Sequence, residues 1–306
     1  MRPSRIASID LGTNTARLLI ADRFDNGAFE QVYLQRTIVR LGGGFCRDNG
    51  LADDAIERAL SCLQEFSSQI DHRGVTDVRA VATSAVRDAS NGREFVERVA
   101  RETGIQLAVI DGSIEGQVTM LGVRSGLDPN PESVFMFDVG GGSTEYTLDC
   151  SSSPPFVMSL PLGVVRLTEG KGELAAMEDK VSRELDRLVQ QLGQSGVKID
   201  PAQTVLVGTA GTATTLAAIS LGMLEYDYRK VNNFRLDLAE IRRIHNLLKD
   251  MTPQERLEVP GLEAGREDLI TAGTLITMMT LERFGFERMT VSDYGLLEGL
   301  VVAGAS

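Results

Sequence analysis

One short pattern occurs in both halves of this chain. The first copy reads Asp10-Leu11-Gly12-Thr13-Asn14-Thr15, and the second reads Asp138-Val139-Gly140-Gly141-Gly142-Ser143-Thr144-Glu145. Each follows a short apolar run, at 6–9 and 134–137, and each precedes a second strand-like run, at 16–21 and 146–148. The expected local structure is a tight hairpin with an acid ending its first strand and glycines in the turn. Glycine reaches backbone conformations closed to other residues and lets a ligand approach the amides closely. Successive turn N–H groups then form a concavity suited to an anion. An acid beside such a cradle cannot favour bare phosphate, so it fits a divalent cation or its water shell. Either copy alone is ordinary turn chemistry. The repeat of acid, glycine and small hydroxyl after a strand implies two related domains acting on one polyphosphate.

The remaining pattern supports a duplication. Strands are expected at 5–10, 16–22 and 28–35, then a helix at 53–71 with Ala55, Ile56, Ala59, Leu60, Leu63, Phe66 and Ile70 at helical spacing. A strand at 78–82, a helix at 93–102, a strand at 106–110 and a helix from Ser113 complete a β-β-β-α-β-α-β-α order. Asp128-Pro129-Asn130-Pro131 is a turn-rich break. It divides the chain into a first domain, 1–126, and a second, 127–306. Strands at 134–138, 144–149 and 155–160 repeat the opening meander. A helix at 172–194, a strand at 204–207, helices at 212–222, 237–249 and 267–284, a strand at 289–291 and a helix from about Tyr294 follow.

Composition narrows the function. A net charge of −12 argues against a broad basic surface for nucleic acid or an anionic membrane. A phosphate polyanion would have to be held by local loops, a few arginines and metal ions. Cys46, Cys62 and Cys150 lack metal-like spacing and read as free thiols of a reducing cytoplasm. The two histidines, His72 and His245, read as surface or helix-end residues, which leaves little scope for a His-based metal site or a Ser-His-Asp triad. No apolar run approaches the ~18–20 residues of a membrane span, and Asp10 interrupts the N-terminus too early for a secretory signal.

Four further segments carry candidate chemistry. Val81-Ala82-Thr83-Ser84-Ala85-Val86-Arg87-Asp88-Ala89 places an arginine after a strand, and Ile110-Asp111-Gly112-Ser113-Ile114-Glu115-Gly116 places a glutamate in a helix's first turn. Val207-Gly208-Thr209-Ala210-Gly211-Thr212 is a third small-residue loop, and Gly265-Arg266-Glu267-Asp268 opens a helix. Alone, Glu115 could merely complement a helix dipole. Arg87 could pair with Asp88 or Glu94, Gly208 and Gly211 could permit close packing, and Arg266 reads as a surface or interface residue.

Taken in order, these segments resemble the exopolyphosphatase/guanosine pentaphosphate phosphatase family, within the superfamily of actin, sugar kinases and Hsp70. The resemblance runs from Ile6 to about Leu300. It implies an α/β fold of two ribonuclease-H-like (actin-like ATPase) domains around a central phosphate-binding cleft, with the last helix packing back on the first domain. It implies that Glu115 positions or deprotonates the attacking water. Asp10, Asp138 and Glu145 would hold Mg²⁺, or Mn²⁺, directly or through water. Thr13, Asn14, Gly140, Gly141, Gly142 and Ser143 would cradle phosphate oxygens, and Arg87 would neutralise substrate charge. Phosphoryl transfer requires little beyond alignment and charge stabilisation.

Two departures from the family stand out. Ile114 occupies a position where a glutamate often precedes the catalytic one, and Gly116 replaces a common alanine. The chain ends soon after Leu300, which implies that the helical domains of longer relatives are lacking and that short polyphosphates are preferred. Guanosine pentaphosphate is the other expected substrate, although no motif identifies a base-reading group. A homodimer is expected from the resemblance and from the apolar helix at 267–284. The rivals are an ATP-dependent kinase of the same superfamily and a non-catalytic actin-like nucleotide-binding protein.

Overall fold

A computed structural model describes residues 3–44, 50–150, 153–171 and 173–303. The chain divides into two compact units, one of residues 1–125 with 295–306 and one of residues 126–294.

The first unit begins with an antiparallel meander, β1 (Ser4–Leu11), β2 (Thr15–Arg23) and β3 (Phe29–Ile38). After α1 (Asp53–His72) come β4 (Asp77–Ala82), α2 (Ser84–Asp88), α3 (Gly92–Thr103), β5 (Leu107–Val109) and α4 (Gly112–Gly126). The sheet order is β3-β2-β1-β4-β5, with β4 parallel to both β1 and β5. One face packs on α1 and α3 through Ile9, Leu11, Leu18, Ile20, Leu63, Phe66, Phe95 and Val99. On the other lies α12 (Leu296–Val302), which buries Leu297 and Val301 against Ile6 and Leu19, and Leu296 and Leu300 against Val81 and Ile110. Arg79 and Arg23 donate to the Leu300 and Val301 carbonyls at 2.7 and 3.3 Å, closing the last turn of this short helix.

The second unit repeats the plan with β6 (Ser133–Val139), β7 (Thr144–Cys150) and β8 (Ser153–Leu160). Then follow α5 (Val164–Lys171), α6 (Leu174–Gln194), β9 (Val205–Thr209), α7 (Ala210–Ser220), α8 (Tyr228–Val231) and β10 (Arg235–Asp237). The unit continues with α9 (Leu238–Lys249), α10 (Pro253–Arg256), α11 (Ile270–Phe284) and β11 (Arg288–Val291). Its sheet runs β10-β11-β9-β6-β7-β8. Omitting the edge strand β10 leaves the strand order of the first unit. Both are ribonuclease-H-like α/β units, because in each the chain leaves the meander by a helix and returns in parallel beside its first strand.

Several elements differ from the sequence expectation. The helices α2, α5, α8 and α10 and the strand β10 are too short to show a period. The segment 265–268 is a turn rather than a helix start, since α11 begins at Ile270 and both Leu269 and Ile270 donate to the Arg266 carbonyl. The apolar residues of α11, including Leu275, Ile276 and Leu281, lie in the core of the second unit, so this helix supplies no argument for a dimer. His245 is neither at the surface nor at a helix end. It is buried mid-way along α9, on the face that carries Ile241, Ile244 and Leu248. Cys62 and Cys150 are free thiols, and Cys46 lies outside the described residues.

Candidate active site

The two repeated motifs form matching turns. In the first unit the Gly12 amide donates to the Thr15 carbonyl at 3.0 Å, and in the second the Gly140 amide donates to the Ser143 carbonyl at 2.9 Å. Among the described residues, the amides of Thr13 and Asn14, and those of Gly141, Gly142 and Ser143, donate to no backbone acceptor. Backbone N–H groups left open in a folded chain are anion-binding groups. The Asn14 side-chain oxygen is also buried without a hydrogen-bond partner. Thr13 is tied to the neighbouring 83–88 segment by a 2.9 Å hydrogen bond between its hydroxyl and that of Ser84. Sequence reasoning passed over Ser84, and only the pairing of β1 with β4 brings it here.

Glu115 lies in the first turn of α4 and is 8% exposed. Its neighbour Ile114 is 46% exposed. This inverts the usual burial order, in which ionisable side chains stay in water. The helix start is already served by Asp111, whose carboxylate accepts from the Ile114 amide at 2.9 Å. Glu115 is therefore not needed as the cap of this helix. Arg87, at the end of α2, stands 3.7 Å from the Glu115 carboxylate and 3.5 Å from Asp88, and donates to the Ile110 carbonyl at 3.2 Å. The β4–α2 and β5–α4 connections thus place a base-capable carboxylate beside a forked cation.

The acids of the two hairpins have different cross-strand neighbours. Asp10 is paired in register with Arg17, and their side chains form an ion pair at 2.9 Å. Asp138 is paired in register with Glu145, which is 1% exposed and accepts from the Ser159 hydroxyl at 2.7 Å. Two buried carboxylates opposite each other on adjacent strands form a hard-oxygen donor set of the kind Mg²⁺ takes. Among the described residues no three His, Cys, Asp or Glu side chains gather as a metal cluster.

Two further features belong to the second unit. Ala210, at the β9–α7 junction, has a φ of +61°, a left-handed conformation rare for a residue with a side chain. Arg266 is half-buried rather than fully exposed. Its side chain is 14% exposed, pairs with Glu263 at 3.1 Å, and occupies the space beside Gly211 where any Cβ would come within 1.8 Å of its Nη1.

Comparison with known proteins follows the same lines. The model of the Ppx/GppA phosphatase family matches residues 20–305. The bifunctional 3-dehydroquinate synthase/phosphatase of Fusobacterium nucleatum is 32% identical over 97% of this chain. The chain spans only about half of that relative's length, 46%. Exopolyphosphatase 2 of Mycobacterium tuberculosis is 31% identical, over 99% of both chains. The crystal structure of the Aquifex aeolicus Ppx/GppA family member superimposes with a TM-score of 0.80 at 36% identity, covering 98% of this chain and 97% of that one. This chain belongs to the Ppx/GppA phosphatase family, hydrolases of phosphoric anhydrides.

Proposed function

We propose that this protein is a Mg²⁺-dependent phosphohydrolase, served also by Mn²⁺, that releases terminal phosphate from short inorganic polyphosphate, guanosine pentaphosphate or both. The observation that carries this reading is the buried Glu115 carboxylate beside Arg87, 3.7 Å away. Glu115 orients the attacking water and takes its proton, and Arg87 meets the charge that builds on the phosphate oxygens. The open amides of the 12–15 and 140–143 turns bind phosphate oxygens. Asp138 and Glu145 would hold the metal ion, which would supply charge neutralisation of the phosphates. The names of relatives with exopolyphosphatase activity support the polyphosphate part of this reading.

The decisive experiment is phosphate release measured colorimetrically with Mg²⁺ on tripolyphosphate, longer polyphosphates, guanosine pentaphosphate and ATP. Release from polyphosphate, guanosine pentaphosphate or both above the ATP rate is expected, and no release from any of them would overturn the reading. The resemblance also supports a cytoplasmic homodimer. Light scattering tests the assembly, and a mass near the 33.1 kDa of one chain would count against it.

A further inference from the structure

A phosphate cradle made of backbone has a problem that its amides do not reveal. Every residue that offers an N–H also carries a carbonyl oxygen, and a carbonyl turned toward the anion repels it. The loop therefore works only if its carbonyls are held elsewhere. In both units the segment that follows the third strand takes them.

In the second unit this segment is 163–166. The Val164 amide donates to the Gly140 carbonyl at 3.0 Å, and the Val165 and Arg166 amides donate to the Gly141 carbonyl at 2.9 and 3.2 Å. The Arg166 side chain completes the set, with Nε donating to the Gly142 carbonyl at 2.9 Å. All three glycine carbonyls are thereby bound by one short stretch. Gly163 lets that stretch approach, since a Cβ there would lie 2.3 Å from the Gly141 oxygen and 2.4 Å from the carbonyl carbons of Gly141 and Gly142.

The first unit solves the same problem with a different set of hydrogen bonds. The Val39 and Arg40 amides donate to the Asn14 carbonyl at 3.0 and 2.9 Å, and the Gly42 amide donates to the Thr13 carbonyl at 2.8 Å. Arg58 of α1 holds this segment from behind, with Nε donating to the Val39 carbonyl at 3.0 Å. The recurrence of the arrangement, with unlike bonds, argues that the requirement lies in the loops themselves.

From this we infer that Arg166 and Gly163 are positioning residues for phosphate binding, acting through the carbonyls of the 140–143 loop to keep its amides facing substrate. The inference rests on the reading of that loop as a phosphate cradle. Arg166 differs from a residue that merely lends positive charge, because its Nε–H fixes one particular carbonyl. A lysine would keep the charge and lose the Nε–H placed at that carbonyl.

The test compares wild type with Arg166→Met, Arg166→Lys and Gly163→Ala. First, ¹⁵N amide shifts are followed while imidodiphosphate, which carries a non-hydrolysable bridge, is titrated with Mg²⁺. If wild-type Gly141, Gly142 and Ser143 do not respond, the cradle reading itself fails. If they respond, KM for tripolyphosphate and the dissociation constant of imidodiphosphate are expected to rise together by roughly tenfold in Arg166→Met, the effect of one lost charge-assisted hydrogen bond. Melting temperature should stay within about 4 °C of wild type, and Arg166→Lys should restore less than half of the loss. Gly163→Ala should shift the same three amides before any ligand is added. A wild-type KM in Arg166→Met, or full recovery in Arg166→Lys, would overturn the assignment. If Gly163→Ala does not fold, the two Arg166 variants decide the matter alone.

Discussion

Asp10 and Arg17 face each other across the first hairpin and are joined by an ion pair at 2.9 Å, whereas at the same register in the second hairpin Asp138 faces a second acid, Glu145. The cross-strand neighbours of the two acids therefore differ. Two carboxylates set opposite each other offer hard oxygens to a divalent cation.

This difference sets the metal prediction. Activity should require Mg²⁺ or Mn²⁺ and vanish in excess EDTA. Asp138→Asn should raise the metal concentration for half-maximal rate by about tenfold or more, and Asp10→Asn by clearly less. Metal titrations of phosphate release give both numbers. Equal shifts in the two variants would remove the distinction drawn between the two acids.

The burial of Glu115 beside an exposed Ile114 predicts a kinetic role. Glu115→Gln keeps the shape and cannot accept a proton, so turnover should fall by ~10²–10⁴-fold. Substrate affinity should remain near wild type, because phosphate is held by the loop amides and Arg87. Steady-state kinetics with tripolyphosphate separates the two parameters, and near-normal turnover in the variant would remove Glu115 from the chemistry.

Much of this site is local and so can be read along the chain. The acid–glycine turns, Arg87 after β4 and Glu115 at the start of α4 each depend on a few consecutive residues. What sequence reasoning missed depends on register and packing. Arg17 reads as one more strand residue until β1 and β2 are aligned, when it falls opposite Asp10. Arg166 and Gly163 lie in a short connection whose meaning appears only when it docks on the 140–143 turn. Arg266 looks superficial because nothing nearby in sequence shows that Gly211 leaves it room. Apart from β10, the strands of both sheets were legible through their apolar runs, while the short helices were not, since one or two turns carry no period.

A pH effect follows from His245. Burial, followed by the nearby Lys249, pushes its pKa below the ordinary value, while Glu178, Asp250 and Glu282 oppose the shift. Its Nδ1 is buried without a hydrogen-bond partner. Between the lowered folded pKa and about 6.5 in the unfolded chain, the unfolded state binds a proton that the folded state does not. Stability should therefore be fully present above that range and decline as pH falls through it. Urea midpoints at pH 7.5 and 5.5 should fall less for His245→Leu than for wild type. Identical declines would show that other groups set the acid sensitivity.

Chain length gives the last prediction. The binding groups identified are backbone amides in two short turns and the Arg87 guanidinium, on a chain whose net charge is −12. Such groups neutralise only the phosphates they touch. Phosphates beyond them meet a surface whose average charge repels them, by an amount that salt screens. Catalytic efficiency should stop rising once polyphosphate exceeds the few units the loops can hold, and added salt should narrow the difference between short and long chains. Release should be distributive, with intermediate lengths visible on a gel at partial conversion. A steady preference for chains of hundreds of units, with no intermediates, would require a continuous basic track that local loops do not provide.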